Sequence, residues 1–475
     1  MKQFKEVHAA AATGRRRSSL NGISSGVRRK SSSSENTNMW SNSPGTSVGL
    51  IPGRKTIGPL ILIIGAPIFV LFMGCLLIHY DGSITVWAQA PRGILKSSAL
   101  CVPTCLNWKV WKWLGGFAAF ELFLMQFLPG SEFKGPVTPA GEVPVYTNNG
   151  LASFILTMIV FFVGFCTNLM NPSFLYDNFL DLLASLNLFA LLFCILLYFK
   201  GLWRPSSKDS GTTGNAIFDF YWGTELYPQV LGVNVKHFTN CRFGMMFWAV
   251  YILSCVFKRK AAFGSIGAPL LINVGLQLIY IFKFFIWETG YLASIDIMHD
   301  RAGFYIVWGI LVWLPCIYTS HSTYLVQAQN QMPVLASLGI LMAGLICIWA
   351  NYDADRQRQE FRAAKGMVKI WGQDPYFLEA KYKTESGDIK SSLLLGSGWW
   401  GLSRHFHYLP EIGAALCWTV PVWTTSFLPY FYVPYLTLLL FDRAKRDDAR
   451  CASKYGKYWA IHCKKVPFLV IPQIY

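Results

Sequence analysis

The stretch from Pro59 to Tyr80 most constrains what this chain can become. It is a run of roughly 20 apolar residues, enough for a helix to cross a bilayer core about 30 Å thick. In such a solvent every backbone N–H and C=O must be satisfied within the segment, which leaves a helix as the solution. Comparable stretches recur at 111–129, 150–170, 180–199, 243–257, 267–287, 303–325 and 333–350. The region 410–441 carries Pro421, Pro429 and Pro434, and reads either as one broken span or as a tight re-entrant pair.

Composition agrees. Of 475 residues, 53% are hydrophobic and only 14% charged, against about 25% in soluble domains. That excludes an ordinary soluble enzyme, a disordered chain and a disulfide-rich secreted module. The net charge of +17 invites a nucleic-acid partner, but its distribution argues for lipid. Residues 1–55 hold ten Lys/Arg against Glu6 and Glu35, and residues 442–475 hold eight against Asp442, Asp447 and Asp448. Basic ends flanking an apolar middle predict two cytosolic termini, hence an even number of spans. Ten spans satisfy this best, so the expectation is an all-α, polytopic membrane protein.

Three regions follow. Residues 1–55 are rich in Ser, Asn, Gly and Arg and predict a solvated basic tail, with lipid binding or phosphorylation control as the sharper reading. Residues 56–350 hold the first eight spans. Residues 351–475 alternate acids and bases before the last apolar stretch and the basic end. The first fifty residues contain no apolar signal core, so the first span is expected to act as the insertion signal, which fits the endoplasmic reticulum. The twelve cysteines form no C-x-x-C pair, and those inside apolar runs, Cys75 among them, read as small core side chains. No His/Cys/acid set has metal-ligand spacing, so no metal is expected.

Gly396-Ser397-Gly398-Trp399-Trp400-Gly401 matches G-x-G-x-x-G, but no βαβ context surrounds it and the next acid, Glu411, is followed by apolar sequence. The glycines instead predict close approach of backbone to a ligand or a helix. Around this string lie three basic clusters: Arg356, Arg358 and Arg362; Arg404 to Tyr408 with two histidines; and Arg443 to Lys454. They could hold phosphates, with Trp399, Trp400, Tyr408 and Tyr455 available for ring stacking. Snorkelling beside lipid headgroups explains the same residues. Within 267–287, Asn273, Gln277 and Tyr280 form a polar stripe that continues to Glu288 and Tyr291. Such a stripe faces either a neighbouring helix or a cavity. Asp296 and Asp300, one turn apart, could raise one another's pKa and suit a proton donor, or simply cap an interfacial helix.

These residues carry a resemblance. Gly398-Trp-Trp-Gly-Leu-Ser-Arg-His-Phe-His-Tyr408, Arg446-Asp-Asp-Ala-Arg-Cys-Ala-Ser-Lys-Tyr-Gly456, the ending Val466 to Tyr475, Trp313-Leu-Pro315 and Ile370-Trp-Gly372 look like the membrane sterol reductases. That family comprises Δ7-, Δ14- and C24(28)-reductases and the reductase-like part of the lamin B receptor. Val137-Thr-Pro-Ala-Gly141, Asn149-Gly-Leu151, Asp177-Asn178, Thr213-Gly-Asn215 and Phe238 to Gly244 resemble the Δ7 branch.

The resemblance implies a ten-helix endoplasmic-reticulum enzyme that reduces a sterol ring double bond with NADPH. Its partners would be the sterol, the bilayer and other sterol-pathway enzymes. Cofactor contacts carry over to Arg358, Arg362, Leu395, Trp400, His407, Tyr408, Asp447, Cys451, Ala452, Ser453, Lys454, Tyr455 and His462. Five positions depart from the family: His407 for Asn, Pro410-Glu411 for Gly-Asp, His462 for Tyr and Ile310 for Asp. Arg358 stands for the usual Lys. An olefin must be protonated before hydride can quench the resulting cation; the proton-donor candidates, in falling order, are Tyr280, Glu288, Asp296 and Asp300. Asn273, Gln277 and Tyr280 are the expected substrate-cavity residues. The alternatives are Δ14 reduction and a non-catalytic sterol-binding scaffold like the lamin B receptor.

Overall fold

The computed structural model describes residues 55–89, 103–138, 140–329, 331–383, 389–423 and 426–475. The basic tail expected over 1–55 therefore lies almost wholly outside the described residues.

Helix α1 (Ile57–His79) shows how the apolar runs are used. Ile57, Ile61, Ile64 and Ile68, spaced four, three and four residues, are exposed, while Val70, Met73 and Leu77 are buried. One stripe faces lipid and the other faces protein. Then follow α2 (Trp108–Phe127), α3 (Gly150–Cys166) and α4 (Phe179–Trp203). The next are α5 (His237–Phe263), α6 (Ala268–Ile286), α7 (Phe304–Gln327) and α8 (Val334–Ala363). After them come α9 (Tyr408–Thr419), α10 (Tyr432–Tyr455) and α11 (Lys457–Lys465). Among the described residues six helices are long and apolar enough to cross a bilayer: α1, α4, α5, α6, α7 and α8. This is a mostly helical, polytopic membrane protein.

It is not all-α. Three two-stranded antiparallel hairpins interrupt the helices: β1–β2 (Ser131–Lys134, Val145–Asn148), β3–β4 (Gln229–Val230, Val233–Asn234) and β5–β6 (Phe377–Lys383, Ile389–Leu395). The last was hidden in the polar block because only one of its faces is apolar. Ala380 and Leu394 turn inward onto Trp459 of α11, while charged residues face out. Proline breaks the 410–441 stretch into α9, two short 3₁₀ turns around Pro421 and Pro429, and α10. Cys75, four residues before the end of α1, is disulfide-bonded, which corrects its reading as a plain core thiol.

Helix α5 is the hub and is almost wholly buried. It opens with a π-helical segment, His237–Gly244, and α7 contains another, Gly309–Tyr318, which includes Pro315. Proline cannot donate the usual intrahelical bond, so a wider turn there is expected. The two segments pack on each other, and a Cβ at Gly244 would lie 2.5 Å from Ile310 Cγ1. Ile310 therefore fills a helix–helix seam. Rings of Phe161, Phe117, Phe243, Phe247, Tyr251 and Phe179 pack in that order through the core.

Helix α8 runs unbroken across residue 350. Val334, Leu335, Leu338, Met342, Ile346 and Trp349 form an exposed apolar stripe along its first half. Its second half carries Asp353, Asp355, Arg356, Arg358, Glu360 and Arg362. One helix thus joins the lipid-facing region to the polar C-terminal region.

Candidate active site

Tyr280, on α6, donates a hydrogen bond from its hydroxyl to Glu411 Oε1 at 2.5 Å. Glu411 sits in the first turn of α9. Lys283 Nζ lies 5.3 Å from the Tyr280 ring centre. Lys283 also donates to Asn351 on α8, whose side-chain amide donates to the carbonyl of His407 at 2.8 Å. Aromatic rings crowd the pair: Trp248 at 5.9 Å and Trp418 at 5.3 Å from Tyr280, with Tyr318, Tyr432 and Tyr435 beyond. Their π faces suit both flat ring substrates and a transient positive charge.

The rest of the polar stripe on α6 is turned to structure. Gln277 accepts from Trp248 Nε1 at 2.8 Å and donates to Asn273 and Ser322 at 2.9 Å. Asn273 donates to the Trp418 carbonyl at 2.6 Å and meets His321 Nδ1 at 3.0 Å. Both amides are fully buried. They tie α6 to α5, α7 and α9 and thereby fix Tyr280.

Glu288 lies elsewhere, just past the end of α6. Its carboxylate is bonded by both terminal nitrogens of Arg242, accepts from the backbone N–H of Gly150 at 3.0 Å, and meets His237 Nε2 at 3.2 Å. Arg242 also donates to Asn149, which caps the last turn of α2. Burial alone would raise the Glu288 pKa, but His237 and Arg242 override it and hold the group down to about 2. His237, Cys241 and Glu288 do converge within 4.8 Å, a grouping their sequence spacing concealed. Arg242 already supplies the positive charge that both carboxylate oxygens need.

Asp296 and Asp300 each face an arginine of α10: Arg443 at 2.6 Å and Arg446 at 3.3 Å. Burial raises the Asp300 pKa, with Arg446 opposing. The two carboxylates thus dock the short helix Ile295–Met298 onto α10.

The expected cofactor residues gather on a separate platform. The Arg358 guanidinium lies 4.6 Å over the Trp400 ring. Trp400 is pinned to α8 by a bond from its Nε1 to the Ala354 carbonyl at 2.7 Å, and packs with Leu395, Phe361 and Ile370. Gly398 has φ +61°, and a Cβ there would overlap Gln357 of α8, so the glycine string serves close approach to a helix. His407 packs on Trp400 at 5.0 Å and on Tyr408 at 4.2 Å. His405 stacks on Tyr408 at 5.4 Å and reaches toward Asp447 at 3.8 Å. Burial lowers the His405 pKa to about 4. Asp447 pairs with Arg450 at 2.6 Å. Burial would raise the Asp447 pKa, but Arg450, His405 and Arg358 bring it to about 2. Cys451, Ala452, Ser453, Lys454 and Tyr455 form the last turns of α10. Tyr455 donates to Ser392 of β6 at 3.3 Å, and Lys454 lies 4.3 Å over the Tyr382 ring of β5. Arg362 is exposed and within charge range of Arg358, Asp447, Cys451 and Tyr455. His462, on α11, is the outlier: it packs against Trp459 at 5.2 Å.

Glu411 was the residue that sequence reasoning left unassigned. Its signal was visible, since it is the only acid between Asp388 and Asp442.

Residues 53–475 match the model of the ergosterol biosynthesis ERG4/ERG24 family. The chain is 47% identical to 7-dehydrocholesterol reductase of Arabidopsis thaliana over 422 residues, which covers 88% of this chain and 96% of that one. It is 34% identical to the Δ14-sterol reductase of Methylotuvimicrobium alcaliphilum, covering 88% of this chain and 94% of that one. Against 7-dehydrocholesterol reductase of Danio rerio it is 31% identical, over 88% of this chain and 91% of the relative. With its family model matched nearly end to end, and with the basic platform and the aromatic acid site set side by side, this chain belongs to the ERG4/ERG24 family of sterol reductases.

Proposed function

We propose that this protein reduces the C7–C8 double bond of a 5,7-diene sterol with NADPH, in the endoplasmic-reticulum membrane. Similarity to 7-dehydrocholesterol reductases supports the substrate class. The observation that carries the chemistry is the Tyr280–Glu411 hydrogen bond in an aromatic enclosure. The ten-span architecture with both termini cytosolic remains our reading. It adds α2, α3, α9 and the apolar part of α10 to the six long spans.

The platform suits a phosphorylated dinucleotide. Arg358 and Arg362 stand one helical turn apart, and among the described residues neither is engaged in an ion pair. Two unneutralised cations on one face call for an anion of matching charge. Trp400 and Tyr408 offer ring faces, and Asp447 offers a hydroxyl acceptor. When bound, NADPH supplies the hydride.

The residues of this chain supply the proton. With Glu411 protonated, its O–H donates to the Tyr280 oxygen and frees the phenolic proton for the olefin. As that proton forms the new C–H bond, the Glu411 proton replaces it, so the net loss is from Glu411. Protonation of a conjugated diene leaves an allylic cation. The faces of Trp248, Tyr318 and Trp418 would stabilise it and limit the approach of water, and the platform residues would hold the NADPH that supplies the hydride.

Expression in a yeast that accumulates Δ5,7-sterols tests the assignment. Loss of the conjugated-diene ultraviolet absorbance, with a product two mass units heavier, is the expected outcome. A persisting diene with consumption of a Δ14 substrate would transfer the enzyme to the other branch, and no conversion of either by an NADPH-competent preparation would favour the scaffold.

A further inference from the structure

Helices α8 and α9 meet along a seam of glycines and cysteines. A Cβ built on Gly413 of α9 would lie 2.8 Å from Cys347 Sγ of α8. A Cβ built on Gly344 of α8 would lie 3.2 Å from Cys417 Cβ of α9, with Leu276 of α6 closing the other side. Positions that fall along α8 thus meet positions that rise along α9, so the two helices run antiparallel. Gly344 and Cys347 are i and i+3, and Gly413 and Cys417 are i and i+4, which puts both cysteines on the facing sides. Their thiols are in side-chain hydrogen-bond contact with each other. Both are free and half-buried. Their chain neighbours Ile346 and Leu416 are 58% and 44% exposed, which sets the pair at the lipid edge of the seam.

We propose that Cys347 and Cys417 form a redox site, which hydroperoxides dissolved in the bilayer convert to a disulfide joining α8 to α9. An isolated thiol in apolar surroundings stays protonated and inert. A second thiol that donates a hydrogen bond to its sulfur favours the thiolate, which is the nucleophile. That sulfur attacks the terminal oxygen of the hydroperoxide. An S–O bond forms, the O–O bond breaks, and the lipid leaves as its alcohol with the thiol proton. The partner sulfur then attacks the sulfenic sulfur: an S–S bond forms, the S–O bond breaks, and water leaves with the second proton. Each sulfur gives up one electron, and the two peroxide oxygens take up one each. A thiol reductant reverses the bond by exchange. An oxidant that partitions into hydrocarbon reaches this edge, whereas a polar one must first be desolvated. Cys347 stands one turn before Asn351, whose amide already holds the His407 carbonyl at the entry to α9. The disulfide is therefore a second, covalent fastening of the same seam.

The test uses the full-length protein in phosphatidylcholine nanodiscs, reduced and then freed of reductant. Cumene hydroperoxide is the lipid-soluble probe, and hydrogen peroxide at the same concentration is the polar one. Peptide mapping without reduction reads the products. Cumene hydroperoxide should yield a cross-linked Cys347–Cys417 peptide, two mass units lighter than the thiol peptides together, about 10-fold faster than hydrogen peroxide does. Dithiothreitol should reverse it. In Cys347→Ser or Cys417→Ser the cross-link should be lost, and dimedone should trap a sulfenic acid on the remaining thiol. The closed form should also melt higher than the reduced form, and the double serine variant should show no such rise. Two thiols that stay reduced while the exposed Cys166 is oxidised overturn the proposal, since the seam then merely houses two small side chains. Separate oxidation of both to sulfonic acids, without a cross-link, overturns it as well. A cross-link that forms faster with hydrogen peroxide overturns the bilayer as the source of the oxidant.

Discussion

Replacing Glu288 by glutamine separates a structural clamp from a proton donor. The carboxylate is 1% exposed and is contacted by both terminal nitrogens of Arg242, by the Gly150 N–H and by His237. Glutamine keeps the shape but removes the charge and points an NH₂ group at the guanidinium. Breaking one side of a buried pair costs about 3–5 kcal/mol. The depression of the Glu288 pKa from 4.5 to about 2 gives a second route to the magnitude. At about 1.4 kcal/mol per unit it amounts to roughly 3 kcal/mol of preferential stabilisation of the charged form. The assay is unfolding of the detergent-solubilised protein, followed by circular dichroism, for Glu288→Gln, Arg242→Met and the pair Glu288→Leu with Arg242→Met. Each single variant should lose about 3 kcal/mol or more, and the apolar pair should lose less than the two single costs added together. A Glu288→Gln protein that unfolds within about 1 kcal/mol of wild type but no longer turns over would refute the clamp and make Glu288 an acid.

Other outcomes follow from the same geometry. Tyr280→Phe should cut turnover by about 10²–10⁴-fold without changing the NADPH-induced thermal shift; unchanged turnover would remove Tyr280 from the chemistry. Arg362→Ala should abolish that shift while leaving unfolding without cofactor near wild type, because the side chain is exposed and makes no ion pair among the described residues. Gly244→Ala should destabilise by about 1–3 kcal/mol through the collision with Ile310, and Ile310→Ala should recover part of the loss. On acidification, stability held by Glu288 is fully present above its unfolded value of 4.5 and is lost as pH falls toward about 2. Thermal melts from pH 5 down to pH 3 should therefore decline, and the decline should flatten in the apolar Glu288→Leu/Arg242→Met pair.

Six of the expected spans were legible because an apolar run of membrane length has few alternative uses. The residues that the resemblance marks for a cofactor lie in its motif strings, and the structure gathers Arg358, Trp400, Tyr408, Asp447 and Tyr455 into one neighbourhood. What stayed hidden was pairing. Nothing in the spacing of Arg242 and Glu288, 46 positions apart, says that they meet; the association depends on how α5 is set against the end of α6. Likewise Asn273 and Gln277 present the same stripe whether they line a cavity or bind Trp248, Ser322 and Trp418, and only packing decides. The β5–β6 hairpin escaped notice because its alternation sits in a charged block whose inner face is covered by α11.

Helix α8 reaches from lipid into water as one rod, about 45 Å at 1.5 Å per residue. A rod has a single tilt. In a thinner bilayer the apolar half leans to match the hydrocarbon, and the half bearing Arg358 and Arg362 swings with it, since no hinge lies between them. The thickness and sterol content of the surrounding membrane are thereby transmitted to the Arg358–Trp400 platform. The lipid environment, which the enzyme's own product alters, becomes an input to its catalytic geometry.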